Sequence, residues 1–306
     1  MTLSSYPKGF KNGLLVQGLP VLNTYGGNVF WVDSGSGSNG NPGTHVQPFA
    51  TVDYAIGRCT ASNGDMIYVK PGHAETIAAA AGLALDVIGV SIVGLGRGGL
   101  RPTFNYTATA STCVISAANC SIQNCLFTGG IDAVVTMFTV SAADCALVDC
   151  ETRDVTGQTL SAVTTTAAAD RFYCEGHVHR GAAAAGSANC FEIVGGDGIV
   201  IKDFWIDGDF SVAAIENVTT AATNINIYGD GQCFARTRNV ADVIVTLVAT
   251  TTGNVGPNIC ARVAENAANI TEAFVGADAQ FFQPIIICNL DGEVGMNTNI
   301  TASLDA

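Results

Sequence analysis

Cys120-Ser-Ile-Gln-Asn-Cys125 returns as Cys145-Ala-Leu-Val-Asp-Cys150, an offset of 25 residues, and the same step links Ile67 to Ile92 and Leu147 to Phe172. A fixed period in the twenties marks a chain wound into a solenoid, where each turn buries what its neighbour leaves bare. Alternation within each copy turns Cys120 and Ile122 toward the core and Ser121 and Gln123 away from it. Working outward, the core strands align on Ile67, Ile92, Ile122, Leu147, Phe172, Ile201 and Ile225 or Ile227. Longer steps place loop insertions at residues 97–109 and 181–195.

A sharp corner follows each core strand. Asn124, Asp149 and Asp203 take that place, and Asn and Asp tolerate the left-handed conformation it requires. The turn around Phe172 puts Cys174 there, which leaves its register open. The expected fold is all-β, a single right-handed parallel β-helix of roughly nine turns, about 40 Å long at the usual spacing of stacked strands. Residues 1–30 form an N-terminal arm, 31–290 the helix and 291–306 a C-terminal tail. The arm either reaches out to a neighbour or folds back over the end of the body. Phe49, Val52, Ala55, Ile56 and Cys59 have helical spacing, so a short helix near 48–60 covers the open end of the solenoid. After residue 230 the repeat blurs, although residues 243–248 and 285–289 still read as strands.

Composition narrows the partners. Hydrophobic residues make up 48% and charged residues only 13%, so a large core is affordable and the surface must rest on Thr, Ser, Asn, Gly and Ala. A net charge of −13 without a cluster of Lys or Arg argues against nucleic acid, and on average it repels polyanionic sugars. The eleven cysteines are odd in number and fall at core spacing without a Cys-x-x-Cys pair, so they read as stacked, reduced thiols. No basic region precedes an apolar run at the N-terminus, and no apolar stretch is long enough to span a membrane. A chain made in a reducing cytoplasm is expected. Asn217-Val-Thr219 and Asn269-Ile-Thr271 then reflect a Thr-rich composition, not glycosylation.

Glycan cleavage needs two carboxyl groups across a groove. Asp207 and Asp209, two apart on one strand face, are the candidates, with Glu151 and Glu175 from neighbouring turns. Asp-Gly-Asp is also turn chemistry, the stronger reading. A lyase needs stacked cations, and the alignment puts no two Arg or Lys at matching positions. His177 and His179 share a strand face. Two ligands are too few for a metal unless copies meet around an axis. His73 reads as a hydrogen-bonded corner. Trp31 and Trp205 read as packing beside the strands, with sugar platforms as the alternative if they are exposed. The Gly/Ser-rich loop from Ser34 lacks the residues of a phosphate cradle. No catalytic, cofactor or metal residue is assigned.

Gly27-Asn-Val-Phe-Trp-Val-Asp-Ser34, Asn41-Pro-Gly-Thr44, Pro48-Phe-Ala-Thr-Val-Asp-Tyr-Ala-Ile-Gly-Arg-Cys59 and Asn63-Gly-Asp-Met-Ile-Tyr-Val-Lys-Pro-Gly-His-Ala-Glu-Thr76 resemble the right-handed parallel β-helix proteins of tailed bacteriophages. The resemblance is specific over about the first hundred residues and generic beyond. It implies a virion protein assembled in the host cytoplasm, a homotrimer that decorates or cements the head by binding the major capsid protein. It carries over no cofactor and no catalytic site. Tyr6, Phe10, Leu14 and Leu15 of the arm are the candidates for capsid contact. A tailspike-like polysaccharide hydrolase or lyase, or a receptor-binding fibre, is the alternative.

Overall fold

The computed structural model describes residues 26–154, 159–181, 187–231, 233–237, 243–263, 274–276 and 278–281, with further backbone strands at Leu14–Val16, Leu19–Val21, Ile285–Asn289 and Val294–Gly295. Three sheets run the length of the body, two of ten strands and one of eight. Each strand lies beside the strand one turn earlier and one turn later, and all pairings are parallel except the last of the second sheet. This is the expected right-handed parallel β-helix.

One turn shows how the sequence makes the shape. Ser121–Gln123 belongs to the first sheet, Leu126–Gly129 to the second and Val134–Val140 to the third. Only Asn124 and Cys125 separate the first two strands, so the chain must bend within two residues. Asn124 does so at φ 52°, with its amide donating to the carbonyls of Gly94 (2.8 Å) and Gly96 (3.0 Å) in the turn below. Asp149 (φ 51°) and Asp203 (φ 52°) repeat the corner. Ile67, Ile92, Ile122 and Leu147 stack in register as expected.

Phe172 does not continue that column. Leu147 pairs with Cys174, which pairs with Ile201. The turn is 27 residues long and its corner is Gly176, at φ 67°. Phe172 instead lies in the column of Cys120 and Cys145, buried two residues earlier. A second left-handed corner, three residues before each core position, was not visible in the sequence. Asn119, Asp144, Arg171 and Asn224 hold it with φ between 55° and 59°, and Gly198 holds it at 70°.

The insertions also move. Residues 97–109 are not all loop, because Thr103–Tyr106 is a strand of the second sheet; the extra length lies between Gly94 and Thr103 and contains a single 3₁₀ turn, Gly98–Leu100. Within 181–195, Asn189–Ile193 is a strand of the third sheet. Beyond residue 230 the stack continues without a break through Cys233–Thr237, Gly253–Val255 and Ile259–Val263. The residues expected as strand at 243–248 contribute only Val245–Thr246.

Helix α1, Val52–Ile56, buries Val52, Ala55 and Ile56 over the end of the solenoid. Glu75 reaches across from the next turn, its Oε2 accepting from the first helical N–H, of Val52, at 2.9 Å. Of the arm residues proposed for capsid contact, Tyr6 and Phe10 lie outside the described residues. Leu14 and Leu15 fall in an antiparallel ribbon with Leu19–Val21, their side chains likewise outside the description.

The core is dry and thiol-rich. Cys113, Cys120, Cys125, Cys145, Cys150, Cys174, Cys190 and Cys233 are free, buried thiols. Burial pushes the Cys150 thiol up to about 12 and that of Cys145 to about 11. Almost no thiolate exists at neutral pH, and the thiolate is the reactive form. These eight cysteines should therefore resist iodoacetamide near neutral pH and take up label only after denaturation, as mapped by mass spectrometry. The corner makes a second expectation. Asp149→Ala should cost about 1–2 kcal/mol, the left-handed penalty of an ordinary residue, while Asp149→Gly should cost far less, read from urea midpoints.

Candidate functional site

Outward-facing residues of the second sheet form two columns. One runs Leu126, Glu151, Val178, Trp205, Phe234 and the other Thr128, Arg153, Arg180, Asp207, Arg236. Arg153 is in register with Arg180, so cations do stack on successive turns, contrary to the sequence alignment.

Glu151 is the centre of the group. Its Oε2 accepts from Arg101 Nη1 at 3.1 Å, its Oε1 accepts from Arg153 Nε at 3.0 Å, and Arg180 Nε forms an ion pair with Oε1 at 3.2 Å. The carboxylate is mostly buried, whereas the Arg153 and Arg180 side chains are 45% and 58% exposed. Two turns along, Trp205 is 47% exposed and stacks on Phe234, with ring centroids 4.4 Å apart at 27°. Trp205 is thus a surface platform and not packing beside the strands. Trp31, partly buried, packs against Tyr68 and His45.

A cavity of about 580 Å³ opens at the corner between the first and second sheets. Arg97, Arg101, Asn124, Asp149, Gly176 and Val178 line it. It joins the Glu151 cluster through Arg101 and the aromatic column through Val178.

The acids chosen from the sequence do not meet. Asp207 accepts from Arg236 through both oxygens, with Nε to Oδ1 at 2.8 Å, and this pairing holds the guanidinium above its ordinary range. Asp209 lies beyond the end of its strand, Trp205–Gly208. Glu175 stands on the first sheet, away from Glu151, where the Tyr173 hydroxyl (2.7 Å) and then Lys202 hold its carboxyl below the usual range. The acids that do come into register are Glu192 and Glu216, on the third sheet. Glu192 accepts from Ser161 (3.1 Å) and Thr164 (3.2 Å), and Glu216 from the Asn189 amide (2.8 Å). The step of 24 residues from Glu192 to Glu216 was the available signal.

His177 and His179 share a face, but that face is the core. Both are fully buried, and each ring nitrogen facing Thr152 lies within hydrogen-bond reach of its Oγ1, His177 Nε2 at 3.1 Å and His179 Nδ1 at 2.9 Å. Inward side chains cannot meet around an axis between copies, so a shared metal there is excluded by direction. No group of three or more His, Cys, Asp or Glu among the described residues is placed to hold a metal. His73 is the expected corner: its Nδ1 accepts from the Ser34 amide at 3.0 Å and its Nε2 lies 3.1 Å from Glu75. Asn217 is buried, its amide donating to the Ile193 and Thr220 carbonyls, which accounts for one of the Asn-x-Thr triplets.

Burial, with the neighbouring His179 adding to it, drops the His177 pKa from 6.5 to about 3. Between those values the unfolded chain holds the extra proton. Stability from this group is therefore complete above about 6.5 and drains as the pH falls toward 3, by roughly 1.4 kcal/mol per pH unit. Urea denaturation across that window should show the slope, and His177→Leu should remove about one proton's worth of it.

No protein-family model matches the chain, and no curated protein matches it. Among solved structures it is similar to a rhamnogalacturonan lyase, with a TM-score of 0.42 and 15% identity over 87% of this chain and 86% of the other. It is also similar to the GH136 lacto-N-biosidase from Eubacterium ramulus in its native form, with a TM-score of 0.46 and 11% identity over 86% of this chain and 64% of the enzyme. These likenesses are of fold.

Proposed function

We propose that the chain is a non-enzymatic structural protein of a tailed-phage particle, a trimeric decoration that binds the major capsid protein and braces the head against the pressure of packaged DNA. The observation that carries this reading is the state of the acids offered for glycan cleavage. Glu151 is held by three guanidiniums, Asp207 by Arg236 and Glu175 by Tyr173 and Lys202. Each of these carboxylates is taken up by cations of its own surface, and they do not stand as a pair across a groove, which is what glycan cleavage needs. The resemblance of residues 27–76 to phage β-helix proteins supports the particle assignment. A rigid prism closed at one end by α1 suits a bracing role.

A second reading, glycan hydrolysis, is favoured by Glu192 and Glu216. Neighbouring strands put their backbones about 4.8 Å apart, close to the carboxyl separation of retaining glycosidases. Two measurements decide between the readings. Quantitative mass spectrometry of purified particles should find the chain at hundreds of copies, on the scale of the major capsid protein; a few to a few dozen would mean a spike or fibre. Purified protein should leave host surface polysaccharide at full length. Depolymerisation lost on Glu192→Gln or Glu216→Gln would establish the hydrolase.

A further inference from the structure

We infer that the second-sheet face is a binding site for an acidic polysaccharide, one whose sugars carry carboxylates. This goes beyond the bracing role and requires no cleavage.

Charge is the first argument. Three guanidiniums converge on the single carboxylate of Glu151, leaving two positive charges in excess. On the cavity wall beside them Arg97 and Asp149 offset each other, as do Arg236 and Asp207 farther along. On a chain of net charge −13, such a surplus is a local reversal of sign. Glu151 orients the guanidiniums from below, while the exposure of Arg153 and Arg180 leaves their outer edges open to an anion. Arg101 adds a buried Nε with no hydrogen-bond partner among the described residues, on the wall of the corner cavity. An ion pair serving only stability would need one cation for this acid.

Shape is the second. Trp205 and Phe234 present stacked aromatic rings in the same column as Glu151, beginning two turns away, roughly 10 Å at the spacing of parallel strands. A sugar ring has an apolar C–H face that lies flat on such a platform, and a uronate has a carboxylate on the same ring. A chain of uronates running along the solenoid would set one ring on Trp205 and bring the carboxylate of a neighbouring ring to Arg153 and Arg180. The corner cavity, of a size usual for ligand sites, would receive a substituent or branch. Nucleic acid fits less well, because its phosphates need a longer basic track than one cluster.

The test is calorimetric titration of the full-length protein with hexamers of polygalacturonate and alginate, with cellohexaose as the neutral control. At least one uronate hexamer should bind, more weakly as salt rises, and cellohexaose should not. Arg153→Ala combined with Arg180→Ala should weaken binding about tenfold or more, and Trp205→Ala about fivefold. Arg101 still pairs with the Glu151 carboxylate in the double variant, so a cooperative thermal transition close to that of the wild type is expected and confirms folding. Arg153→Lys with Arg180→Lys keeps the charge and should retain part of the affinity. The assignment is overturned if neither uronate binds, if cellohexaose binds equally, or if the arginine and tryptophan variants bind like the wild type. None of these results would touch the copy number on particles, so the site and the bracing role fail separately.

Discussion

The middle of this protein depends on turning a corner within two residues between the first and second sheets, as four successive turns do. A β-helix gains its core only if successive turns superimpose, and they superimpose only if every turn bends at the same place. A left-handed residue does this, at a cost of about 1–2 kcal/mol for most side chains and little for Gly, Asn or Asp. The corner column Asn124, Asp149, Gly176, Asp203 is drawn from that short list. Gly176 is the tightest case, since a Cβ there would lie 2.3 Å from Asp149 Oδ1. Asp203 also carries the stack onward, accepting from the amides of Asp230 and Gly231 in the next turn.

Given superposition, the interior follows by position. Phe104 and Phe127 stack at 4.9 Å in one column, and Thr152, His179 and Ile206 continue it. The cysteines occupy slots where a larger residue is also accepted: Cys125 and Cys150 are followed by His177 and then Phe204, all buried. The polar group of Thr152 and two imidazoles sits between Phe127 and Ile206 of that column. The Thr152 hydroxyl serves one nitrogen of each ring, which offsets part of the cost of burying them, while His177 Nδ1 remains without a hydrogen-bond partner among the described residues. A neutral His177 ring is the form the core accepts.

Much of the fold was legible because the period shows itself wherever identical residue types recur, as in the two Cys-x₄-Cys turns and the aligned isoleucines. The helix over residues 52–56 was legible from its apolar spacing, and the His73 corner from its Pro-Gly context. The second left-handed column was not, since its residues include Arg171, a type that seldom adopts that conformation and is held there by its ion pair with Asp144. The exposure of Trp205 was not legible either: an aromatic on a strand reads the same whether its outer face meets solvent or another layer.

The binding face escaped the sequence for a reason that can be stated in register. Placing Phe172 opposite Leu147 slips one turn by two residues. A slip of one would have turned every core side chain outward and betrayed itself at once. A slip of two preserves the alternation, so the hydrophobic pattern cannot detect it. It puts Val178 opposite Arg153, and Asp209 opposite Arg180, and the cation pair vanishes from the alignment. In the structure the true partners are Arg180 and Asp207. Buried columns tolerate such a slip because Phe and Cys both fill a core position. Surface columns do not, because charge is specific to the residue that carries it. In solenoids the core therefore fixes which face is outside, and only the corner residues fix which surface side chains stand together.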